Sequence, residues 1–191
     1  GTGGYVTAPV LYAAHKLNIK TILHEQNSIL GMTNKFLSNF VDKIAVSFKE
    51  LDVKGTKTTY TGNPSSDISS VKKLDKKEIG LDNKKKLVLI VMGSLGSLTV
   101  SNKMKEILPK FSNKEYELLF ITGENYYDEF KDLKLASNIK IVPFIDNFKG
   151  ILDKVDVMVS RAGATTMSEI IAYKIPTIFI PSPYVTDNHQ F

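Results

Sequence analysis

Lys86-Leu87-Val88-Leu89-Ile90-Val91-Met92-Gly93-Ser94-Leu95-Gly96-Ser97 reads as a charged residue, six apolar residues in succession, and a turn of glycines and hydroxyls. A strand with one wet face would alternate apolar and polar side chains. An unbroken apolar run this short suits a parallel strand covered on both faces. With the helical pattern at Ser101–Phe111 it makes a strand–loop–helix unit, and the unit recurs in both directions. Strands are expected at Thr21–His24, Lys43–Val46, Glu117–Ile121, Ile139–Val142, Val157–Ser160 and Thr177–Ile180. Helices are expected at Ala8–Leu17, Met32–Phe40, Tyr126–Leu135, Phe148–Lys154 and Thr165–Tyr173. Such alternation specifies an α/β fold with parallel sheets. It lapses between Pro64 and Lys86, where serines and a lysine-rich run surround a short helical pattern near Asp75–Ile79. The expected organisation is a Rossmann-like domain over 1–64, a linker region over 65–85 and a second Rossmann-like domain over 86–191. Gly1-Thr2-Gly3-Gly4 and Asn188-His189-Gln190-Phe191 read as cuts through a longer chain, so both domains are expected to be incomplete.

Composition narrows the function. The 191 residues are 42% hydrophobic and 24% charged, an ordinary globular balance. No apolar run approaches the roughly 20 residues that span a bilayer. Without cysteine there is neither a disulfide nor a thiolate metal site. The net charge is +5, yet of 25 basic residues only Arg161 is an arginine. Lysines are solvated point charges, poor at reading bases, and no stripe of arginines and aromatics appears, so no nucleic-acid partner is expected. The positive balance suits a plain solvated surface, or attraction to an anionic membrane surface or a diphosphate.

In parallel α/β sheets, ligands bind beyond the carboxyl ends of strands. Three loops there carry chemistry. Gly93-Ser94-Leu95-Gly96-Ser97 offers glycines and hydroxyls that can meet phosphate oxygens, or a turn kept for steric reasons. It is neither a P-loop nor Gly-x-Gly-x-x-Gly. Arg161-Ala162-Gly163-Ala164-Thr165-Thr166-Met167-Ser168-Glu169 opens a helix whose positive end would face a diphosphate. Thr165 or Thr166 reads equally as an N-cap, with Ser168 or Glu169 completing a capping box. Glu169 could accept two ribose hydroxyls or simply stabilise the helix start. His24-Glu25-Gln26-Asn27-Ser28 sets four polar side chains after a strand, with His24 a base or a hydrogen-bonded structural residue. No Asp-x-Asp pair, histidine cluster or Gly-x-Ser-x-Gly elbow is present, so no metal or other cofactor is expected. From residues alone the reading is a two-domain α/β protein that binds a phosphorylated ligand.

Taken together, the loops resemble one family, MurG: UDP-N-acetylglucosamine–N-acetylmuramyl-(pentapeptide) pyrophosphoryl-undecaprenol N-acetylglucosamine transferase. The matching blocks are Gly3-Gly4-Tyr5-Val6, His24-Glu25-Gln26-Asn27, Gly31-Met32-Thr33-Asn34, Thr61-Gly62-Asn63-Pro64, Gly93-Ser94-Leu95-Gly96, Phe144-Ile145-Asp146, Ser160 to Thr166 with Ser168-Glu169, and Asp187-Asn188-His189-Gln190. The resemblance implies a B-type glycosyltransferase fold and metal-independent, inverting transfer of N-acetylglucosamine from UDP-N-acetylglucosamine to lipid I, at the cytoplasmic face of the bacterial membrane. It implies a donor site of Asn27, Ser94, Ile145, Ala164, Thr165, Thr166, Glu169 and Gln190, with Ile145 holding uracil through its backbone. It also places Gly3, Gly4, Tyr5 and Thr7 near the acceptor diphosphate, and His24, Glu25, Ser66 and His189 near one substrate or the other. The proposed catalytic base of the family would lie upstream of Gly1, so the catalytic residue is unknown and the 191 residues alone are expected to be inactive. Ser66 stands where the family usually has arginine, and Leu95 where it has glutamine. The alternatives are another UDP-sugar transferase with a lipid acceptor, or a non-catalytic nucleotide-sugar binding module.

Overall fold

The computed structural model describes residues 1–51, 53, 58–93 and 96–182. They form two compact units, the first Gly1–Ser66 and the second beginning at Asp67.

The first unit carries α1 (Thr7–Lys16), β1 (Ile22–Glu25), α2 (Met32–Leu37), β2 (Lys43–Val46) and β3 (Thr58–Tyr60). Its three strands are parallel in chain order, with His24 beside Ala45 and Val46 beside Tyr60. Leu23, Leu37, Ile44, Val46 and Val53 form the core. β3 was not foreseen, because three residues without a buried side chain have no readable period. α2 stops at Leu37, shorter than the expected Met32–Phe40.

The second unit carries β4 (Leu87–Val91), α3 (Leu98–Ile107), β5 (Glu117–Ile121), β6 (Ile139–Val142), α4 (Phe148–Leu152), β7 (Val157–Ser160), α5 (Ala164–Tyr173) and β8 (Thr177–Phe179). All are parallel, in the order β6-β5-β4-β7-β8. The alternation of side chains along β4 and β5 makes two cores. Leu87, Leu89, Val91, Leu119 and Ile121 pack with Ile151, Leu152 and Ile170. Ile90, Leu118 and Phe120 pack with Met104, Leu108 and Phe130 on the other face. Burial on both faces is why these strands read as unbroken apolar runs. The helix expected at Tyr126–Leu135 is instead a 3-10 turn at Glu124–Glu129.

The stretch expected to be a linker packs onto the second unit from Asp67 onward. Leu74 N–H donates to Gly150 O at 2.8 Å, and Asn147 Nδ2 to Lys72 O at 2.6 Å. Buried Lys76 donates to Lys85 O at 2.6 Å and lies 3.5 Å from buried Glu117, which accepts from Asp82 N–H. One device recurs in both units. Asp42, just before β2, accepts from Thr21 N–H at 2.9 Å and from Lys20. Asp156, just before β7, accepts from Leu87 N–H at 2.9 Å and from Lys86. Each carboxylate joins the start of its strand to the start of the neighbouring one.

Candidate functional site

In the second unit, β4 lies between β5 and β7, so the order reverses at the centre of the sheet. A cleft forms beyond strand carboxyl ends at such a reversal. There a cavity of about 430 Å³ is lined by Val91, Gly93, Ile121, Phe144, Ile145, Phe148, Ser160, Thr165, Thr166 and Glu169, a size that suits a small organic ligand. Three strands, two helices and the loops after β4 and β6 supply the lining. Val91, Ile121 and Ser160 end β4, β5 and β7, while Thr165, Thr166 and Glu169 share one face of α5 by helical spacing. Phe144 is 46% exposed, whereas Ile145 is buried in the core.

The start of α5 corrects the capping expectation. Its N-cap is Gly163, in extended conformation and without a side-chain cap. Thr165 and Thr166 therefore lie inside the first turn, and Ser168 Oγ donates back to Ala164 O at 2.9 Å. Among the described residues no side chain accepts from the leading N–H groups of the helix, an arrangement suited to an anion. Glu169 is 9% exposed and lies about a turn and a half further along. Its partner in the i,i+4 direction, Tyr173, has its phenol pushed up by burial first and then by the carboxylates of Asp153 and Glu169.

Arg161 joins three loops. Its Nη1 donates to Ile180 O at 3.0 Å and Pro181 O at 2.8 Å, and its Nη2 to Ser97 Oγ at 2.9 Å. Ser97 occupies the N-cap of α3 yet makes no capping bond. Gly96 has φ +73°, and a Cβ there would come within 2.1 Å of Thr122 O, so this glycine answers to sterics.

In the first unit, a cavity of about 300 Å³ is lined by Thr2, Gly3, Gly4, the loop Glu25–Leu30 apart from Ser28, and residues Gly31 to Asn34. Its centre is Glu25, 1% exposed. Glu25 Oε1 accepts from Asn27 N–H at 2.9 Å and Asn27 Nδ2 at 3.1 Å; Oε2 accepts from Gly31 N–H at 3.1 Å and Asn34 Nδ2 at 2.6 Å. His24 is held at both ring nitrogens. Nε2 is 3.1 Å from Gly62 O, and a carbonyl can only accept, so Nε2 carries the proton. Nδ1 then accepts from Gln26 Nε2 at 2.9 Å. His24 thus joins the end of β1 to the turn after β3. Ser66 is exposed and donates Oγ to Asn63 O at 2.7 Å. Thr7 donates its hydroxyl to Gly3 O, and Tyr5 is 88% exposed.

Of the expected site residues, Ile145, Thr165, Thr166 and Glu169 line the second-unit cavity, and Ala164 opens the helix beside it. Gly3, Gly4, Glu25 and Asn27 line the first-unit cavity. Ser94, His189 and Gln190 lie outside the described residues. Sequence reading missed Phe144 and Phe148 as walls, and Arg161, Ser97 and Asn34 as organisers. Its being the only arginine among 25 basic residues was a signal for Arg161.

Residues 87–191 match the glycosyltransferase family 28 C-terminal domain, more than half of the chain, and residues 1–46 match the family 28 N-terminal domain. The chain belongs to glycosyltransferase family 28. Family 28 relatives extend the likeness. The UDP-N-acetylglucosamine–N-acetylmuramyl-(pentapeptide) pyrophosphoryl-undecaprenol N-acetylglucosamine transferase of Bacillus pumilus is 50% identical, and that of Listeria welshimeri 46%. Each alignment covers all of this chain and 54% of the relative, so the chain spans about half their length. The crystal structure of Acinetobacter baumannii MurG matches with a TM-score of 0.70 and 28% identity, over the whole chain and 54% of that structure. The kitacinnamycin glycotransferase, at 13% identity and a TM-score of 0.69 over 96% of this chain and 57% of its own, shares the fold.

Proposed function

We propose that this chain is part of a glycosyltransferase that moves N-acetylglucosamine from UDP-N-acetylglucosamine onto lipid I, forming lipid II for peptidoglycan. The observation that carries the reading is the second-unit cavity. An apolar, aromatic wall at Phe144, Ile145 and Phe148 suits a flat base, Glu169 suits a ribose, and the uncapped start of α5 suits a diphosphate. Similarity at 46–50% identity to the relatives named above supports the choice of sugar and acceptor. In this reading Asn27 and Gln190 face the donor sugar, Ser94 and the residues Ala164 to Thr166 face the diphosphate, and Gly3 and Gly4 lie near the acceptor.

Backbone dipoles at helix starts and at the Gly93 turn would carry the leaving-group charge without a metal, and a single displacement of UDP by the acceptor hydroxyl at the anomeric carbon would invert that centre. The site would work at the cytoplasmic face of the membrane, bound peripherally. Exposed Val10, Tyr12, Met32 and Phe36, with Lys16 and Lys35 near them in sequence, support an apolar and cationic contact with anionic lipid. No helix among the described residues is long and apolar enough to cross a membrane.

The test is transfer of labelled N-acetylglucosamine to lipid I by the full-length protein, with and without EDTA. Turnover should persist in the chelator. An absolute need for added magnesium, or no transfer at all, would reject the proposal. The 191-residue chain assayed alongside should fall short by 10²-fold or more, the typical contribution of a general base.

A further inference from the structure

The apolar wall of the second-unit cavity comes from one short stretch: Phe144 and Ile145 in the loop after β6, and Phe148 at the first position of α4. α4 has five residues, too few to hold a helical conformation without tertiary support. Ile151 and Leu152 anchor it in the core. A second support is the segment between β3 and β4, where three successive residues bond this stretch. Lys72 O accepts from Asn147 Nδ2 at 2.6 Å, Lys73 Nζ lies 3.0 Å from Asp153 Oδ2, and Leu74 N–H donates to Gly150 O at 2.8 Å. Asn147 is the residue common to wall and segment. Its Oδ1 accepts from Gly150 N–H at 3.2 Å and caps α4, while its Nδ2 holds Lys72 O. An N–H can only donate and a carbonyl only accept, so the amide faces one way and a carboxylate would suit only one of the two. Gly150 shows how close the segment comes: a Cβ there would fall 2.5 Å from Lys72 O and would also meet Asn147 Nδ2. Glycine inside a helix is less stable than alanine, so its place here answers to that approach.

We propose that Asn147 is a positioning residue: by fastening the start of α4 to Lys72 it sets where Ile145 and Phe148 stand in the cavity, and through them the fit of a flat heterocyclic base. The proposal rests on the UDP-sugar reading and deepens it, because the base end of the donor site is then shaped by the segment Lys72–Leu74 as well as by the residues that line it. The phosphate end is built by a different element, the start of α5. Loss of the clamp therefore acts on the base and spares the diphosphate.

Calorimetry of uridine and of inorganic pyrophosphate on the full-length protein tests it. Asn147→Asp keeps an acceptor for Gly150 N–H, and Asp caps a helix as well as Asn does, but it turns a carboxylate oxygen toward Lys72 O. Uridine affinity should fall about tenfold, as expected for one lost hydrogen bond and two opposed acceptors, with pyrophosphate affinity within about twofold of the unmutated protein. Gly150→Ala keeps every hydrogen-bonding group and favours helix, so it should reproduce the uridine loss only through the Cβ that displaces Lys72. Uridine affinity intact in either variant would overturn the proposal, as would an equal loss of uridine and pyrophosphate with a lowered Tm. A second measurement needs no variant. With uridine at about ten times its Kd, hydrogen exchange of the Leu74 amide should slow about tenfold, because a base held against Phe148 opposes the opening that frees Leu74; pyrophosphate should leave it unchanged. No slowing with uridine bound would overturn the proposal even where the variants do not fold. Failure of the unmutated protein to bind either uridine or UDP would instead reject the UDP-sugar reading. The clamp would then be judged without ligand: Leu74 exchange should be about tenfold faster in Asn147→Asp, and an equal rate would overturn it.

Discussion

Glu169 shows how one carboxylate can be read two ways until its surroundings are known. At a helix start it would add about 0.3–1 kcal/mol through the helix dipole. Its place on the cavity wall, beside Thr165 and Thr166, offers a larger role. Charge-assisted hydrogen bonds are worth about 1.5–3 kcal/mol each. If Glu169 takes two ribose hydroxyls, Glu169→Ala should weaken UDP binding roughly tenfold to a few hundredfold. Calorimetry with UDP and 2′-deoxy-UDP on the full-length protein decides it. The unmutated protein should prefer UDP strongly and the variant far less, whereas equal loss of both ligands with a lower Tm would assign Glu169 to helix stability. The residue types in both sites were legible in the sequence, because glycines, hydroxyls and carboxylates clustered where strands end. Their hydrogen-bond partners were not. His24 read as a base or a hydrogen-bonded structural residue, and it is held by Gln26 and Gly62, while Glu25 accepts from Asn27, Gly31 and Asn34.

Among the elements, the loop ahead of α5 depends on the fork of Arg161. Two carbonyls after β8 and one hydroxyl ahead of α3 are met by a single planar group, which a lysine ammonium on a flexible stem cannot reproduce. Ser97 Oγ, which accepts from Arg161, makes no capping bond to α3. Arg161→Lys should therefore weaken UDP binding nearly as much as Arg161→Gln, by about tenfold, while uridine binding changes less than twofold. Retention of UDP affinity in Arg161→Lys alone would mean that charge, and not geometry, is what matters there. Element boundaries followed the apolar runs where burial was two-sided, as in β4 and β5. They departed where local pattern competed with packing. Tyr126–Leu135 has helical spacing, but of that stretch Phe130 alone is buried in the core, with Leu135 packed at its edge, and the chain turns as a 3-10 segment instead.

For the whole molecule, the recurring Asp device predicts an acid limb of stability. Asp42 is held down to about 2, chiefly by its hydrogen bond from Lys20 and then by that from Thr21 N–H. A carboxylate whose folded value lies below its unfolded value near 4 contributes fully above that value and loses its contribution as pH falls toward 2. Asp156 is lowered as well, the bonds from Lys86 and Leu87 outweighing burial. Asp42→Asn should lower Tm near pH 6 and flatten its fall between about pH 5 and 2. A Tm profile parallel to that of the unmutated protein would show that Asp42 is not coupled to folding. The parallel α/β class and the loops that carry the family likeness were determined by sequence alone. They depend on periodicity and composition, which are local properties of the chain. Tertiary structure decided which face of each strand meets which helix, that the segment from Asp67 packs on the second unit, and that β3 exists at all. It also decided which partners Glu25 and His24 bond and that Thr165 and Thr166 lie inside α5. Each of these outcomes turns on a hydrogen-bond or packing partner brought close by the fold, and neither spacing nor residue type encodes which partner that will be.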